Sequence, residues 1–320
     1  MDPTAAPTFA PQVGILVLDY HHPEETLACV RSLLAREGPG TRVLWLENDA
    51  HAAGAAAEAV LAASGLEWSR IDPDRDPLPG PGVIGFIANR ENLGYAGGNN
   101  VGLRFLQRHG VPFAWVLNND TLLVQGSSDD LRAAAEARPE IGIWAARIAT
   151  ERSTYYGGVV NPRTQGIGLC RDLDQLEGDP DAFVSGCSLF FRTGVAAELG
   201  FLPEHYFLYY EDPAFSLEMK RRGLGLSGTD AVVVQHAESL STGRRSMLME
   251  YYSKRNRWHF MRAYYPHRLG PNRWRLLYDL QGYAFRLRGR RAWVEWVAYL
   301  DFRRGITGAT SRPYSRFQVT

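Results

Sequence analysis

The chain of 320 residues has few cysteines: Cys29, Cys170 and Cys187, an odd number set far apart. That spacing supplies neither a disulfide framework nor a metal knot, which makes a reducing cytosol the simplest compartment. No run of about 18 apolar residues occurs, so no membrane-spanning helix is expected. Residues 1–12 are read as a disordered N-terminus; Met1 to Pro11 is Pro/Ala-rich and lacks the basic start of a signal peptide. There is no internal repeat, no low-complexity tract and no Gly-x-Gly-x-x-Gly dinucleotide fingerprint. Net charge is also missing, with 35 Lys+Arg against 35 Asp+Glu. That balance conceals a division: from Arg244 onward there are 17 basic and 4 acidic residues, and before it 18 and 31. Such segregation points the C-terminal segment at something anionic, or packs it on the acidic body.

What is present is an alternation of apolar runs and amphipathic stretches. Val13–Leu18, Arg42–Leu46, Val83–Ala88 and Phe113–Leu117 read as strands, the first a continuous apolar run of the kind buried on both faces. Pro23 with Glu24 and Glu25 opens a helix, an Ala-rich helix runs to about Ala63, and another precedes His109. Four strand–helix alternations predict an α/β fold with a mostly parallel sheet flanked by helices. Each strand ends in polar residues: Asp19-Tyr-His-His22, Glu47-Asn48-Asp49, and Asn118-Asn119-Asp120-Thr121. Those ends converge on one edge, where open α/β sheets bind ligands. A carboxylate there, Asp120, suits a hard cation such as Mg²⁺ or Mn²⁺ bridging to phosphates.

Between the third and fourth strands lies Asn89-Arg-Glu-Asn-Leu-Gly94-Tyr-Ala-Gly97-Gly98-Asn99-Asn100. It reads as a loop whose backbone approaches a ligand while amides read polar edges. Beyond Ile148 the alternation breaks. Residues 150–181 read as irregular hairpins, Phe183–Arg192 as one strand containing a glycine, and Pro213–Arg222 as a helix stopped by Gly223. Ala231–Gln235 reads as a strand leading into His236.

Glu91 to Asn100, Leu117-Asn-Asn-Asp120, Ser185-Gly-Cys-Ser-Leu-Phe-Phe-Arg192, Tyr209-Tyr-Glu-Asp212, Lys220-Arg-Arg-Gly223 and His236 run in the same order as in family 2 glycosyltransferases. The sequence resembles most the rhamnosyltransferase-like bacterial branch, from Val13 to about Tyr265. The resemblance implies a GT-A fold, a nucleotide-diphosphate sugar donor (dTDP-, UDP- or GDP-linked), a divalent Mg²⁺ or Mn²⁺ and an inverting single displacement. Residues 13–245 would form the catalytic domain, with 13–121 the nucleotide-sugar half and 122–245 the acceptor half. Residues 246–320 would form a basic, aromatic helical extension.

By the same resemblance Asp120 is the metal carboxylate and His236 a second ligand or diphosphate contact. Asp19 and Glu47, Asn48 and Asp49 lie near base and ribose, and Asn92, Gly94, Asn99 and Asn119 line the donor pocket. Asp212 is the base that takes the acceptor's proton, with Glu211 the alternative. Asn118 stands where a strict Asp-x-Asp motif has its first acid, and Ala214 where the family often has a second acid. Asp212 followed by Pro213 also fits an N-cap with proline at N1, so capping competes with catalysis for this residue. His21 and His22 are adjacent and cannot share one strand face, so neither is assigned a metal.

The first-choice donor sugar is rhamnose or another deoxyhexose. Galactofuranosyl or hexosyl transfer on the same fold is the alternative, and a catalytically degenerate nucleotide-sugar-binding module another. The acceptor hydroxyl would sit on a cell-envelope glycan, a glycolipid or a secondary metabolite, a lipid-linked acceptor being one option. A nucleotidyltransferase wants a basic Gly-rich loop after the first strand, which Asp19-Tyr20-His21-His22 is not. The aromatic–arginine pattern of 246–320 reads either as helices packed on the body or as a peripheral surface for anionic lipid on the cytosolic face of a membrane. Nucleic acid ranks last, because the aromatics are helically spaced. Homodimerisation stays open.

Overall fold

The computed structural model describes residues 10–49, 51, 53–236, 246–285 and 289–312. The N-terminal stretch 1–9 and the ends of the two expected C-terminal segments, 237–245 and 313–320, lie outside the described residues.

The chain builds a ten-stranded mixed sheet with helices on both faces. Strand β1 (Val13–Asp19) pairs in parallel with β2 (Thr41–Glu47) and with β5 (Phe113–Asn118), and β2 with β4 (Ile84–Ala88). Helices α1 (Pro23–Leu34), α2 (Gly54–Ala63) and α3 (Gly94–Arg108) are the crossovers. Val13, Ile15, Leu16, Val17, Trp45 and Trp115 have no solvent exposure, as a sheet covered on both faces requires. The sequence reading passes over β3 (Trp68–Arg70), a three-residue edge strand too short to carry a periodic signal.

Beyond β5 the sheet continues through β6 (Thr121–Gln125), β7 (Ile141–Ala149), β12 (Ser188–Arg192) and β13 (Gly225–His236), with β8 (Thr154–Tyr155) paired on β7. β12 runs antiparallel to both β5 and β7. The irregular stretch 150–181 resolves into a small antiparallel sheet, β9 (Gly157–Asn161), β10 (Gly166–Cys170) and β11 (Ala182–Val184), with the short helix α5 (Leu173–Gly178). The segment expected as one strand over 183–192 is broken between β11 and β12 at Ser185-Gly186-Cys187, where the chain turns to pass from the small sheet into the large one.

Two further corrections concern helix starts. Gly94 to Asn100 is the first half of α3, not a loop. Its glycines serve packing: a Cβ on Gly98 would lie 2.6 Å from the Leu18 side chain and 2.8 Å from Asn48 Oδ1. Helix α7 (Glu211–Arg221) begins two residues before Pro213, with Tyr210 at its N-cap, so Asp212 lies inside the first turn and is not the cap.

The C-terminal extension is helical, as expected: α8 (Met247–Tyr264), α9 (Leu269–Phe285) and α10 (Gly289–Arg303), following the short helix α6 (Thr193–Glu198) and α4 (Ser128–Ala137) of the body. Tyr252 of α8 stacks on Phe207, and Phe260 packs on Tyr210. Arg255 and Asn256 of α8 have no exposure and serve the body as donors.

At Gly94, φ is +74° and a Cβ would meet the Phe207 carbonyl oxygen at 2.2 Å. Gly94→Ala is therefore expected to lower stability by about 2–4 kcal/mol in urea unfolding. Gly110→Ala, equally left-handed but open (φ +67°, nothing within 4 Å), should cost about 1 kcal/mol. Equal costs would show that the close approach contributes nothing.

Candidate active site

The register of the parallel strands sets Asp19 opposite Glu47, Leu18 opposite Asn118, and Glu47 opposite Ala88. The polar strand ends thus share one edge. The inner members of this row are buried. Asp19 has no exposure, and its Oδ1 accepts the His22 N–H at 2.9 Å at the start of α1. Burial raises its carboxyl above the ordinary range, against that hydrogen bond. Glu47 has no exposure either. Burial, together with the neighbouring Asp19 charge, pushes it up to about 7. Asp49 reaches the surface and pairs with His21 at 3.4 Å.

Asn48 ties together the loops after β2 and β4. Its Nδ2 donates to Asn92 Oδ1 and to the Gly94 carbonyl, both at 3.1 Å, and its Oδ1 accepts from Asn89 Nδ2 and the Leu93 N–H. Asn92 Oδ1 also accepts the Gly94 N–H at 2.8 Å. Asn99 is buried, with Nδ2 on the Tyr95 carbonyl at 2.9 Å. Both polar atoms of Asn48 and the amide nitrogen of Asn99 are thus engaged inside the protein, while Asn99 Oδ1 is buried without a partner among the described residues. Asn92 and Asp49 remain partly exposed at the rim.

At the turn after β5, Asn119 donates to Thr26 Oγ1 at 3.0 Å and Asp120 projects toward β13. His236 is registered opposite Thr121, and its Nε2 lies 3.1 Å from Asp120 Oδ2. Asp120 Oδ1 is buried and has no hydrogen-bond partner among the described residues. A carboxylate oxygen left open beside an imidazole is a donor set that fits a divalent cation. Among the described residues no group of three His, Cys, Asp or Glu could hold one alone. Two protein donors suit a metal whose remaining positions go to diphosphate oxygens and water.

The loop Ser185–Cys187 stands between this turn and Asp212. The Asn118 N–H donates to the Cys187 carbonyl at 3.1 Å, and the Gly186 N–H donates to Asp212 Oδ2 at 2.9 Å. The Tyr95 hydroxyl donates to the Gly186 carbonyl. Burial, with Glu211 and Asp212 nearby, pushes the Tyr95 phenol well above its ordinary value and keeps it a donor. Burial also raises both Glu211 and Asp212, and Glu211 is raised further by the Asp212 charge beside it. The two differ in access: Glu211 is buried, whereas Asp212 lines a cavity. Geometry therefore favours Asp212 over Glu211 as the carboxylate a substrate can reach. Ala214, at the position of the absent second acid, is buried among aromatics at the base of α7, and its carbonyl accepts from Tyr264.

That cavity, about 550 Å³, opens between the small sheet and α8; Gln165, Phe183, Ser185, Tyr210, Asp212 and Arg257 are among its walls. The residues leading into Asp212 are strained. Phe207, Tyr209 and Tyr210 have φ of 67°, 69° and 78°, a region costly for side chains with a Cβ. Asn256 secures them, its Nδ2 lying 2.6, 2.8 and 3.1 Å from the carbonyls of Tyr206, Leu208 and Tyr209. The sequence signals Gly186 and, within the Glu91–Asn100 run, Tyr95; nothing in it marks Asn256 or Gln165.

No family model matches the chain. It is 26% identical over 186 residues to the low-salt glycan biosynthesis hexosyltransferase Agl10 of Haloferax volcanii, covering 54% of this chain and 59% of that protein. The chain thus spans less than two thirds of that relative's length. Among solved structures, it is similar to a mannosyltransferase of Pyrobaculum calidifontis in complex with GDP-Man and Mn²⁺ (14% identity, TM-score 0.53, 94% of this chain and 90% of that one). It is also similar to GalNAc-T7 with UDP, GalNAc and Mn²⁺ (11%, TM-score 0.55, 79% and 48%). Residues 1–349 of S. aureus TarS with UDP-GlcNAc match at 12% and TM-score 0.51, over 92% and 81%. These likenesses establish the GT-A α/β fold.

Glu47 supplies a pH test of this edge. Its folded value lies above the unfolded one, so the folded state holds more protons and stability falls as pH rises from about 4.5 to about 7. Glu47→Gln removes that loss and keeps an acceptor for the Asp49 N–H. The variant is expected to gain about 2 kcal/mol over wild type at pH 8 and much less at pH 5, by urea unfolding. A gain independent of pH would contradict the raised carboxyl.

Proposed function

We propose that the chain is a glycosyltransferase moving a sugar from a nucleoside-diphosphate donor to an acceptor hydroxyl by inverting single displacement. The observation that carries the reading is the arrangement around Cys187: Asp120 and His236 on one side, and Asp212, opening on a cavity, on the other. Burial raises the Cys187 thiol, and the charges of Asp120 and Asp212 raise it further. The Ser185–Cys187 loop links the two carboxylates through the Asn118 and Gly186 N–H bonds.

In this reading residues 13–245 are the catalytic domain. Asp49, Asn92 and Asn119 lie beside the nucleotide, and Asp19, Glu47, Asn48, Gly94 and Asn99 support that wall from behind. Asp120 and His236 hold Mg²⁺ or Mn²⁺, which when bound neutralises the charge developing on the departing diphosphate. The acceptor enters from the 550 Å³ cavity. Asp212 takes the hydroxyl proton on the oxygen not engaged by Gly186, and its raised affinity for protons suits a base near neutral pH. Buried α7 and the Asn256 clamp hold that carboxylate in place, so its geometry is fixed before substrate arrives. The bound nucleotides of the structural neighbours support a UDP-, GDP- or related donor, and a deoxyhexose such as rhamnose rests on the resemblance to the rhamnosyltransferase-like branch alone.

The extension supports a peripheral contact with anionic lipid. Trp274, Tyr278 and Phe285 of α9 are 75%, 70% and 93% exposed, on a helix that also carries Arg273. No helix among the described residues is long and apolar enough to cross a membrane. Such a contact would bring the cavity close to a lipid-linked acceptor.

Donor at about 100 times its dissociation constant adds roughly 2.7 kcal/mol of stability. A Mn²⁺-dependent thermal shift with one of the UDP-, dTDP- or GDP-sugars is expected, lost in Asp120→Ala. Asp212→Asn should keep the shift while transfer falls about 10²–10⁴-fold. No shift with any donor would overturn the donor site, and undiminished transfer in Asp212→Asn would overturn the base. For the membrane contact, co-sedimentation with phosphatidylserine vesicles should weaken in 0.5 M salt and in Trp274→Ser/Tyr278→Ser. Binding indifferent to both would remove α9 from the contact.

A further inference from the structure

The cavity beside Asp212 has chemistry of its own. Gln165 is only 5% exposed, sits in the left-handed region at φ 58°, and lines the cavity. Both polar atoms of its amide are buried and find no hydrogen-bond partner among the described residues. Its N–H is used, donating to the Asn161 carbonyl at 2.8 Å, so the backbone is pinned while the side-chain amide is left open. A buried amide with neither donor nor acceptor engaged is rare in folded proteins, and at a cavity wall it points to a ligand. An amide that both donates and accepts matches a hydroxyl, which does the same.

The lining also carries cations. Lys254 and Arg257 of α8 line the cavity, and both reach Glu295 of α10 at 2.6 Å. Glu295 has no exposure, so one buried carboxylate serves both cations. Arg257 uses Nη2 for the pair, and its Nε is buried without a partner among the described residues. The floor is aromatic and glycine-rich. Tyr209 and Tyr210 are among the cavity's lining residues, and a Cβ on Gly168 would meet nothing within 4 Å and so project into open space. Flat apolar surface flanked by hydrogen-bonding groups is the usual design for holding a sugar ring.

We propose that this cavity takes an acceptor with a hydroxylated ring and an attached anionic group, Gln165 reading a ring hydroxyl while Arg257 and Lys254 hold the phosphate or carboxylate. The proposal rests on the transferase reading above and names the acceptor class for that site. Arg257 can offer its Nε–H to an anion without surrendering Glu295, so the anion adds to the existing pair and does not compete with it. The Glu295 pairing also fixes both cations before the ligand arrives, which lowers the ordering cost of binding.

The test is a ligand-observed NMR titration of the full chain with Mn²⁺, using glucose 1-phosphate, glucuronate, glucose and inorganic phosphate as probes. Glucose 1-phosphate or glucuronate should bind at least tenfold more tightly than glucose, and which of the two leads tells phosphate from carboxylate. Arg257→Gln should bring the anionic sugars to the level of glucose, and Arg257→Lys should keep part of the preference. Gln165→Leu should weaken all three sugars about tenfold and leave inorganic phosphate unchanged. Equal binding of neutral and anionic sugars by wild type would overturn the proposal. So would a preference that survives Arg257→Gln intact, or a Gln165→Leu chain that binds every sugar as wild type does. Mn²⁺-dependent release of nucleoside diphosphate from the donor is scored separately on wild type. Release without the anionic preference overturns this inference alone, and the preference without release overturns the transferase reading while the anionic-sugar cavity stands.

Discussion

The segment 206–210 is the constraint on which the site depends. Three of its residues with side chains sit at positive φ, a conformation that costs of order 1–3 kcal/mol each and persists only when the surroundings enforce it. The surroundings here are Asn256, which collects three of its carbonyls, and Gly94 and Tyr95 of α3, which meet Phe207. Helix α7 starts directly from this segment and carries Asp212 in its first turn. One strained turn therefore ties helix α3, the Asp212 carboxylate, the tyrosines of the cavity and the C-terminal helix α8.

This packs the C-terminal extension into the α/β body. Arg255 and Asn256 are buried donors, while Lys254 and Arg257, their neighbours on α8, face the cavity. The excess of basic residues after Arg244 divides accordingly. Some of these cations satisfy carbonyls and Glu295, some turn to the cavity, and others lie at the surface near the exposed aromatics of α9. Of the two readings of the charge asymmetry, packing on the body is the one the contacts show.

Much of the fold was legible in the sequence because its first half obeys local rules. Continuous apolar runs give buried parallel strands, and Pro23 with Glu24 and Glu25 marks a helix start that the structure keeps. The Gly/Asn run was misread as a loop because glycine and asparagine are weak helix formers. Tertiary packing overrides that propensity at Gly98, where only hydrogen fits against Leu18 and Asn48. Asp212-Pro213 has the local chemistry of a cap, yet the helix starts earlier because Tyr210 takes the left-handed cap position under restraint from α8. Asn256 and Gln165 carry no local signal at all. Their significance comes from contacts, or missing contacts, across 47 to 50 residues in one case and from an empty cavity wall in the other.

The central claim is that Asp120 and His236 offer an incomplete metal site that a nucleoside diphosphate completes. Electron paramagnetic resonance of Mn²⁺ titrated with protein tests this directly, with and without the nucleoside diphosphate that stabilises the chain. The account predicts that the free Mn²⁺ signal is lost strongly only when protein and nucleotide are both present, and that Asp120→Ala restores the protein-free spectrum of the nucleotide complex. Equal loss of signal without nucleotide, or an unchanged ternary signal in Asp120→Ala, would contradict it.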